Sequence, residues 1–389
     1  MKKIIFCLQT MVLGGVEKEL ITVLKLIHNQ FDITLLLLYQ HEEELLQDIP
    51  NNVRIVNCKI DSSYYYASTS DLIKRRIRSG KILEASLIAF KKCFKIGTSG
   101  SNINIDAIPT IDEYFDVAIC YHIHSPLMFR YTAQKINASK KIAWIHNDFY
   151  ASGYPIQRLK KIINEYDEFV AVSKKVEKEF RELCSWYSKP ISTAYNYLDA
   201  QEIRSLSNAK ISDNRFLCEK ETKILTIGRF SEQKGIDIAI KTAALLKSES
   251  LNFNWFLIGY GELEDSFRKL IKEYDVEDCF TILGKKNNPY PYIKNADICV
   301  QPSRHEAYPL VLMEAKILKK PIVCTDFDGA DEQIISGHNG IIVPLNDTYA
   351  LCKEISKLVR NPEARDSLSK ELENWESEDD LREIIKHLE

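Results

Sequence analysis

Short, almost wholly apolar runs punctuate this chain at regular intervals. They fall at 4–8, 33–38, 53–56, 117–121, 141–145 and 169–172. A second series falls at 223–227, 255–258, 280–283, 297–300, 321–324 and 340–343. Runs this short and this continuously apolar predict parallel strands covered on both faces. Between them lie helical patterns. After residues 3–8 comes a Gly-containing loop at 11–15. A helix follows over 17–27, with Val16, Leu20, Val23, Leu24 and Ile27 on one face. The second half opens the same way: a strand at 223–227, a loop at 228–235 and a helix at 236–246. Alternating strands and helices imply βαβ units with right-handed crossovers. The pattern therefore predicts α/β architecture with two Rossmann-like, doubly wound domains. These are placed at 1–200 and 201–372, with a C-terminal helix at 373–389 packing back toward the first domain. Ligands of such sheets bind beyond the carboxyl ends of the strands, so a cleft faced by the two domains is the expected site.

Length and composition narrow the class. A chain of 389 residues, 45% hydrophobic and 28% charged, is globular and suits two domains. A net charge of −3 argues against nucleic acid as a partner. Ten cysteines without a CxxC pair read as small, reduced core residues. The start, Met1-Lys2-Lys3 before Ile4–Leu8, reads as a strand and not as a secretory leader. No window reaches the ~18 apolar residues of a membrane span. A cytoplasmic protein is expected, resting peripherally on the inner face of the membrane if it meets lipid at all. The segment 71–95 bears on that. It carries Lys74, Arg75, Arg76, Arg78, Lys81, Lys91, Lys92 and Lys95 with interleaved Leu, Ile and Phe. Such a segment suits an anionic lipid surface and equally a helix packed on its own domain. Residues 96–110 read as a loop.

The chemistry concentrates between Asp297 and Ile317. The order there is strand, loop, helix, with Glu306 in the loop, Pro309 suited to the first helical turn, and Glu314 inside an apolar helix. An ionised carboxylate in such a helix needs partners. Ribose hydroxyls would serve; the structural alternative is an ion pair with Lys316 or a neighbouring strand. The N-terminus of that helix offers backbone N–H groups and a positive dipole end, a ready phosphate site. Arg229 and Lys234, in the loop 228–235, are cations suited to a diphosphate. Gly259-Tyr260-Gly261 follows a strand, but no third Gly stands at the dinucleotide spacing, so it is a poor sign of NAD. The eight histidines are dispersed. His122 and His124 share one strand end, a weak pattern for zinc. Asp326-Phe327-Asp328 spells DxD but is read as non-metal.

These residues carry a resemblance. Leu225–Gly235, Leu257–Leu263, Ile282–Gly284, the Glu306-x7-Glu314 segment and Pro321–Glu332 are similar, in order and spacing, to the retaining glycosyltransferases of the GT-B fold, family 4. Gly14–Glu17, His122-x-His124, Trp144–Asp148 and Val170–Ser173 match more loosely. Ala307 stands where the family usually has Gly. The resemblance implies that Arg229 and Lys234 hold the donor diphosphate and that Glu306 contacts the transferred sugar. It implies that backbone groups of Tyr308, Pro309, Leu310 and Val311 meet phosphate, that Glu314 holds the ribose, and that Gly284 and Lys285 seat the base. It implies further that Gly15 lets the backbone approach the phosphates and acceptor, and that His146 lies near the sugar and acceptor hydroxyl. Glu306, His146, Arg229 and Lys234 are thus the catalytic candidates. The implied reaction is transfer of a hexosyl or N-acetylhexosaminyl group, with retention, from a nucleoside diphosphate sugar to a hydroxyl. A UDP sugar is the expected donor. A lipid-linked glycan of a bacterial surface polysaccharide such as capsule is the expected acceptor. No cofactor and no catalytic metal are expected. A sugar-nucleotide epimerase of the same fold and a non-catalytic partner subunit are the alternatives.

Overall fold

The computed structural model describes residues 1–12, 14–40, 45–61, 77, 86, 108, 110–211, 213–217, 221–373, 375 and 378–389. The basic segment 71–95, apart from Ile77 and Ser86, and most of 96–110 lie outside the described residues. The chain divides into two compact units. The first comprises Met1–Val172, Val176–Ala194 and Glu383–Glu389; the second comprises Ser173–Lys175 and Tyr195–Arg382.

The first unit is built on a seven-stranded sheet. In chain order its strands are β1 (Lys3–Leu8), β2 (Asp32–Gln40), β3 (Arg54–Asp61), β4 (Tyr114–Cys120), β5 (Asn137–Ile145), β6 (Glu168–Ala171) and β7 (Ile191–Thr193). Their spatial order is β3-β2-β1-β4-β5-β6-β7, and every pairing is parallel. Ile4, Ile5, Cys7, Leu35, Leu36, Ile119, Ile142 and Val170 are buried, as strands covered on both faces require. The short β7, following Pro190, is the strand that the apolar runs do not announce. The last residues of the chain are tied into this sheet through Glu168 and Lys140, which both meet His387. His387 Nδ1 lies 2.6 Å from Glu168 Oε1, and Lys140 Nζ lies 3.0 Å from Glu168 Oε2.

The second unit has a six-stranded sheet: β8 (Thr222–Ile227), β9 (Phe253–Ile258), β10 (Phe280–Gly284), β11 (Ile298–Gln301), β12 (Ile322–Thr325) and β13 (Ile341–Val343). The order is β10-β9-β8-β11-β12-β13, again all parallel. Its core joins Trp255, Leu257, Ile236, Ile240 and Leu246 on one face to Phe216, Phe256, Leu312 and Ile322. In both sheets the strand order reverses once, between β1 and β4 and between β8 and β11. Loops leaving the carboxyl ends of two such strands diverge to opposite faces and open a crevice. In the second unit those loops are 228–235 and 302–309, the two segments that carry the charged candidates.

No helix among the described residues is long and apolar enough to cross a membrane.

Candidate active site

In the second unit the two loops are locked together by backbone and by charge. Gly235 has φ +61°, and a Cβ there would sit 1.9 Å from the carbonyl oxygen of Pro302, so only glycine lets the loops approach so closely. Arg304 donates to both oxygens of Asp237, at 2.9 and 2.8 Å, and to Glu232 O at 2.6 Å. Gln233 Nε2 donates to His305 O at 3.0 Å. This clamp brings Lys234 Nζ to 2.5 Å from Glu306 Oε1, with both side chains largely buried. Lys234 and Glu306, each singled out separately in the sequence, are thus brought together as an ion pair. Arg229, by contrast, is exposed on the same loop. The Gly259-x-Gly261 pair supports that loop from beneath. A Cβ on Gly259 would meet Gly228 O at 1.9 Å, and one on Gly261 would meet Phe230 O at 2.6 Å. The two glycines therefore serve backbone packing behind Arg229.

The helix Leu310–Ile317 begins one residue later than expected. Pro309 caps it in an extended conformation (φ −68°, ψ 125°) instead of entering its first turn. Leu312 N donates to Pro309 O at 3.3 Å, while the N–H groups of Leu310 and Val311 precede the helical ladder and sit at its positive end. The preceding loop is fixed from the segment that follows β7: Asn196 Nδ2 donates to Tyr308 O at 3.0 Å, and the Tyr195 ring stacks on Tyr308 at 4.8 Å. Tyr308, Pro309 and Leu310 are buried, and Val311 is half-buried.

Glu314 is buried and receives a hydrogen bond from the phenol of Tyr290. The alternative ion pair with Lys316 does not form, because residues two apart on a helix face different directions. Lys316 is itself buried at 2% exposure. Its ammonium donates to Gln333 O at 3.3 Å and lies 4.1 Å from the centre of the Trp375 ring. Burial pulls its pKa down to about 8.

Gly284, with φ +76°, ends β10, and Lys285 Nζ lies over the Tyr260 ring at 5.2 Å. Asp328 of the DxD segment lies 3.1 Å from Lys175 Nζ. Among the described residues no group of three or more His, Cys, Asp or Glu is arranged to hold a metal ion.

In the first unit, Gly15 opens the helix Gly15–Ile27 behind β1. His146 follows β5 and is buried at 7% exposure. It forms a hydrogen bond with the Tyr121 backbone and packs its ring 4.8 Å from the Tyr121 ring. Its Nε2 is buried and has no hydrogen-bond partner. Its pKa is driven well below the usual histidine value, first by burial and then by His122 and His124. Burial likewise lowers His122 to about 4 and, with His122 beside it, His124 to about 3. All three rings are neutral near pH 7. The sequence pattern overlooked Ser303 and Gln301, whose side chains both reach Glu306. Small polar residues at a strand end and in a loop leave no periodic trace; only the strand-to-loop position, three and five residues before the acid, could have drawn attention to them.

Comparison with known proteins bears on this geometry. The family described as "Glycosyl transferases group 1" matches residues 208–375. A glycosyltransferase of amylovoran biosynthesis from Erwinia amylovora is 33% identical over 144 residues, 35% of this chain and 35% of its own length. A glycosyltransferase from Haemophilus influenzae is 26% identical over 227 residues, 58% of this chain and 61% of its own. The capsular polysaccharide glycosyltransferase CapM of Staphylococcus aureus is 28% identical over 164 residues, 40% of this chain and 43% of its own. The matched stretch thus spans between 35% and 61% of the length of these curated relatives. Among solved structures, Anabaena HepE in complex with UDP superposes with a TM-score of 0.72 at 14% identity, covering 100% of this chain and 99% of that one. S. aureus TarM, solved with UDP, superposes at 0.70 and 14% identity, covering 99% of each chain. Residues 208–375 are thus similar to the group 1 glycosyl transferases, and the chain shares its fold with GT-B glycosyltransferases of known structure.

Proposed function

We propose that this chain is a retaining glycosyltransferase that moves a hexose or N-acetylhexosamine from a nucleoside diphosphate sugar to a hydroxyl of a glycan. The observation that carries the proposal is the Lys234–Glu306 pair, 2.5 Å apart at the reversal point of the second sheet and in front of a helix N-terminus. A donor diphosphate suits the positive end of the helix Leu310–Ile317, with Arg229 and Lys234 neutralising it as it departs. Preorganised positive groups aimed at developing charge are commonly the largest catalytic contribution. Glu306 meets the sugar, and buried Glu314 meets the ribose. Gly284 and Lys285 flank the base. In the other unit, the unpartnered Nε2 of His146 suits a sugar or acceptor hydroxyl, and Gly15 permits close backbone approach. The cations and the helix end supply the charge needed at the leaving group, so the proposed reaction uses neither a metal nor a cofactor, and a donor phosphate oxygen takes the acceptor proton.

UDP is the favoured nucleotide, supported by the UDP named in the HepE and TarM structures. A lipid-linked glycan in surface-polysaccharide assembly is the favoured acceptor. It is supported by relatives named for amylovoran, colanic acid and capsule biosynthesis. The basic segment 71–95 is proposed as a peripheral membrane contact. The test of the donor site is thermal unfolding with UDP, GDP and ADP. UDP is expected to raise the midpoint most, as a ligand of the native state must. Lys234→Ala should remove most of that rise. Equal shifts for all three nucleotides would contradict the UDP assignment, and no shift with any would contradict the site.

A further inference from the structure

Glu306 is held by more than Lys234. Ser303 Oγ donates to Glu306 Oε1 at 2.7 Å, and Gln301 Nε2 donates to the same oxygen at 3.1 Å. Gln301 Nε2 also donates to Ser303 Oγ at 2.8 Å. Three donors therefore converge on Oε1, and none of these bonds uses Oε2. Both supporting side chains are fully out of solvent, Gln301 at 1% and Ser303 at 0% exposure. Their own positions are set by the sheet. Gln301 ends β11 opposite Cys324 of β12. Thr325 Oγ1, at the end of β12, donates to Ser303 O at 2.5 Å and approaches Gln301 O at 3.4 Å.

One detail separates this network from ordinary packing. Gln301 Oε1 is buried and has no hydrogen-bond partner. An unsatisfied buried acceptor costs stability, and an apolar side chain of the same shape would not carry that cost. The amide has its acceptor orphaned and its donors turned toward Ser303 and Glu306. A second consideration is the state with donor bound. On the proposed reading Lys234 would turn to the diphosphate, and neutral donors that do not compete for phosphate would then hold the carboxylate.

We infer that Ser303 and Gln301 are positioning residues for Glu306: they fix one carboxylate oxygen and leave the other to a hydroxyl of the transferred sugar. This rests on the reading of Glu306 as the sugar-contacting acid. The test compares wild type with Ser303→Ala, Gln301→Met and Glu306→Ala. Acceptor-independent hydrolysis is measured on a panel of UDP, GDP and ADP sugars, using the one that wild type cleaves fastest, together with UDP affinity and thermal midpoint. Ser303→Ala and Gln301→Met should each lower turnover about ten- to a hundredfold, the scale of one lost hydrogen bond to a charged group. UDP affinity should stay within about twofold, because the diphosphate contacts are untouched. The midpoint should hold or, for Gln301→Met, rise. Wild-type turnover in both variants would overturn the inference. So would a parallel loss of UDP affinity and thermal stability, which marks a structural role. Full turnover in Glu306→Ala, or a wild type that cleaves no donor in the panel, would instead overturn the underlying reading of the site.

Discussion

The histidines after β4 and β5 show how burial sets chemistry at the scale of single residues. His122, His124 and His146 lie together, with ring centres 5.8 Å apart for the first pair and 6.3 Å for His122 and His146. Each has a folded-state pKa below the ordinary 6.5. On acidification the unfolded chain takes up these protons first, so stability falls as pH drops below about 6.5 and continues to fall toward the folded values. The first unit should therefore lose stability between about pH 7 and pH 5, before most carboxylates titrate. Denaturant midpoints of wild type and His124→Asn at the two pH values check this. The variant should lose less on acidification, and an equal loss would show that His124 is not held neutral. At this scale the sequence was uneven. Glu306, Lys234 and Glu314 were legible because a charge in a loop after a strand, or in an apolar helix, calls for a partner. Ser303 and Gln301 were not, because their roles arise from a carboxylate brought to them by folding.

Among the elements, the helix Leu310–Ile317 carries the most tension. It is buried on nearly all sides, yet contains both Glu314 and Lys316. The sequence left an ion pair between the two as the alternative to ribose hydroxyls; helical geometry sends them apart, and Lys316 meets a carbonyl, an aromatic face and the field of Asp380. Removing a buried charge of this kind commonly stabilises a protein, so Lys316→Met should raise stability near pH 7 by about 1–2 kcal/mol. The sign follows from the lowered pKa. In the folded state Lys316 sheds its proton near pH 8, whereas the unfolded chain keeps it to about 10.5. Wild-type stability thus gains relative to the variant across that window, and the advantage of Lys316→Met should shrink as pH rises through it. Denaturant unfolding at pH 7 and about pH 9.5 reads the difference, and an advantage that grows with pH would refute the account. The strands themselves were the most legible elements: twelve apolar runs each coincide with a parallel strand. Three-residue β7 was missed because Ile191–Thr193 is too short to make a run. Neither strand order nor the reversal points could be read from the runs, since pairing is decided by non-local packing.

For the molecule as a whole, the two sheets repeat one strand order about their reversal points, and in the second that plan brings Lys234, Glu306 and a helix N-terminus to the same reversal point. The sequence located those loops through their motifs. What it lacked was the device that joins them: Gly235 pressed on Pro302, Arg304 clamped on Asp237, and the support of Gly259 and Gly261 behind Arg229. These contacts join residues tens of positions apart, so no local pattern records them. The central claim is that the Glu306 centre transfers sugar from a nucleotide donor. The most direct measurement is release of nucleoside diphosphate from UDP-glucose, UDP-galactose and UDP-N-acetylglucosamine by purified wild type and by Glu306→Ala. The account predicts release from at least one donor by wild type, and a loss of at least about a hundredfold in the variant when both are assayed well below the variant's own thermal midpoint. Release at the wild-type rate by Glu306→Ala would contradict it.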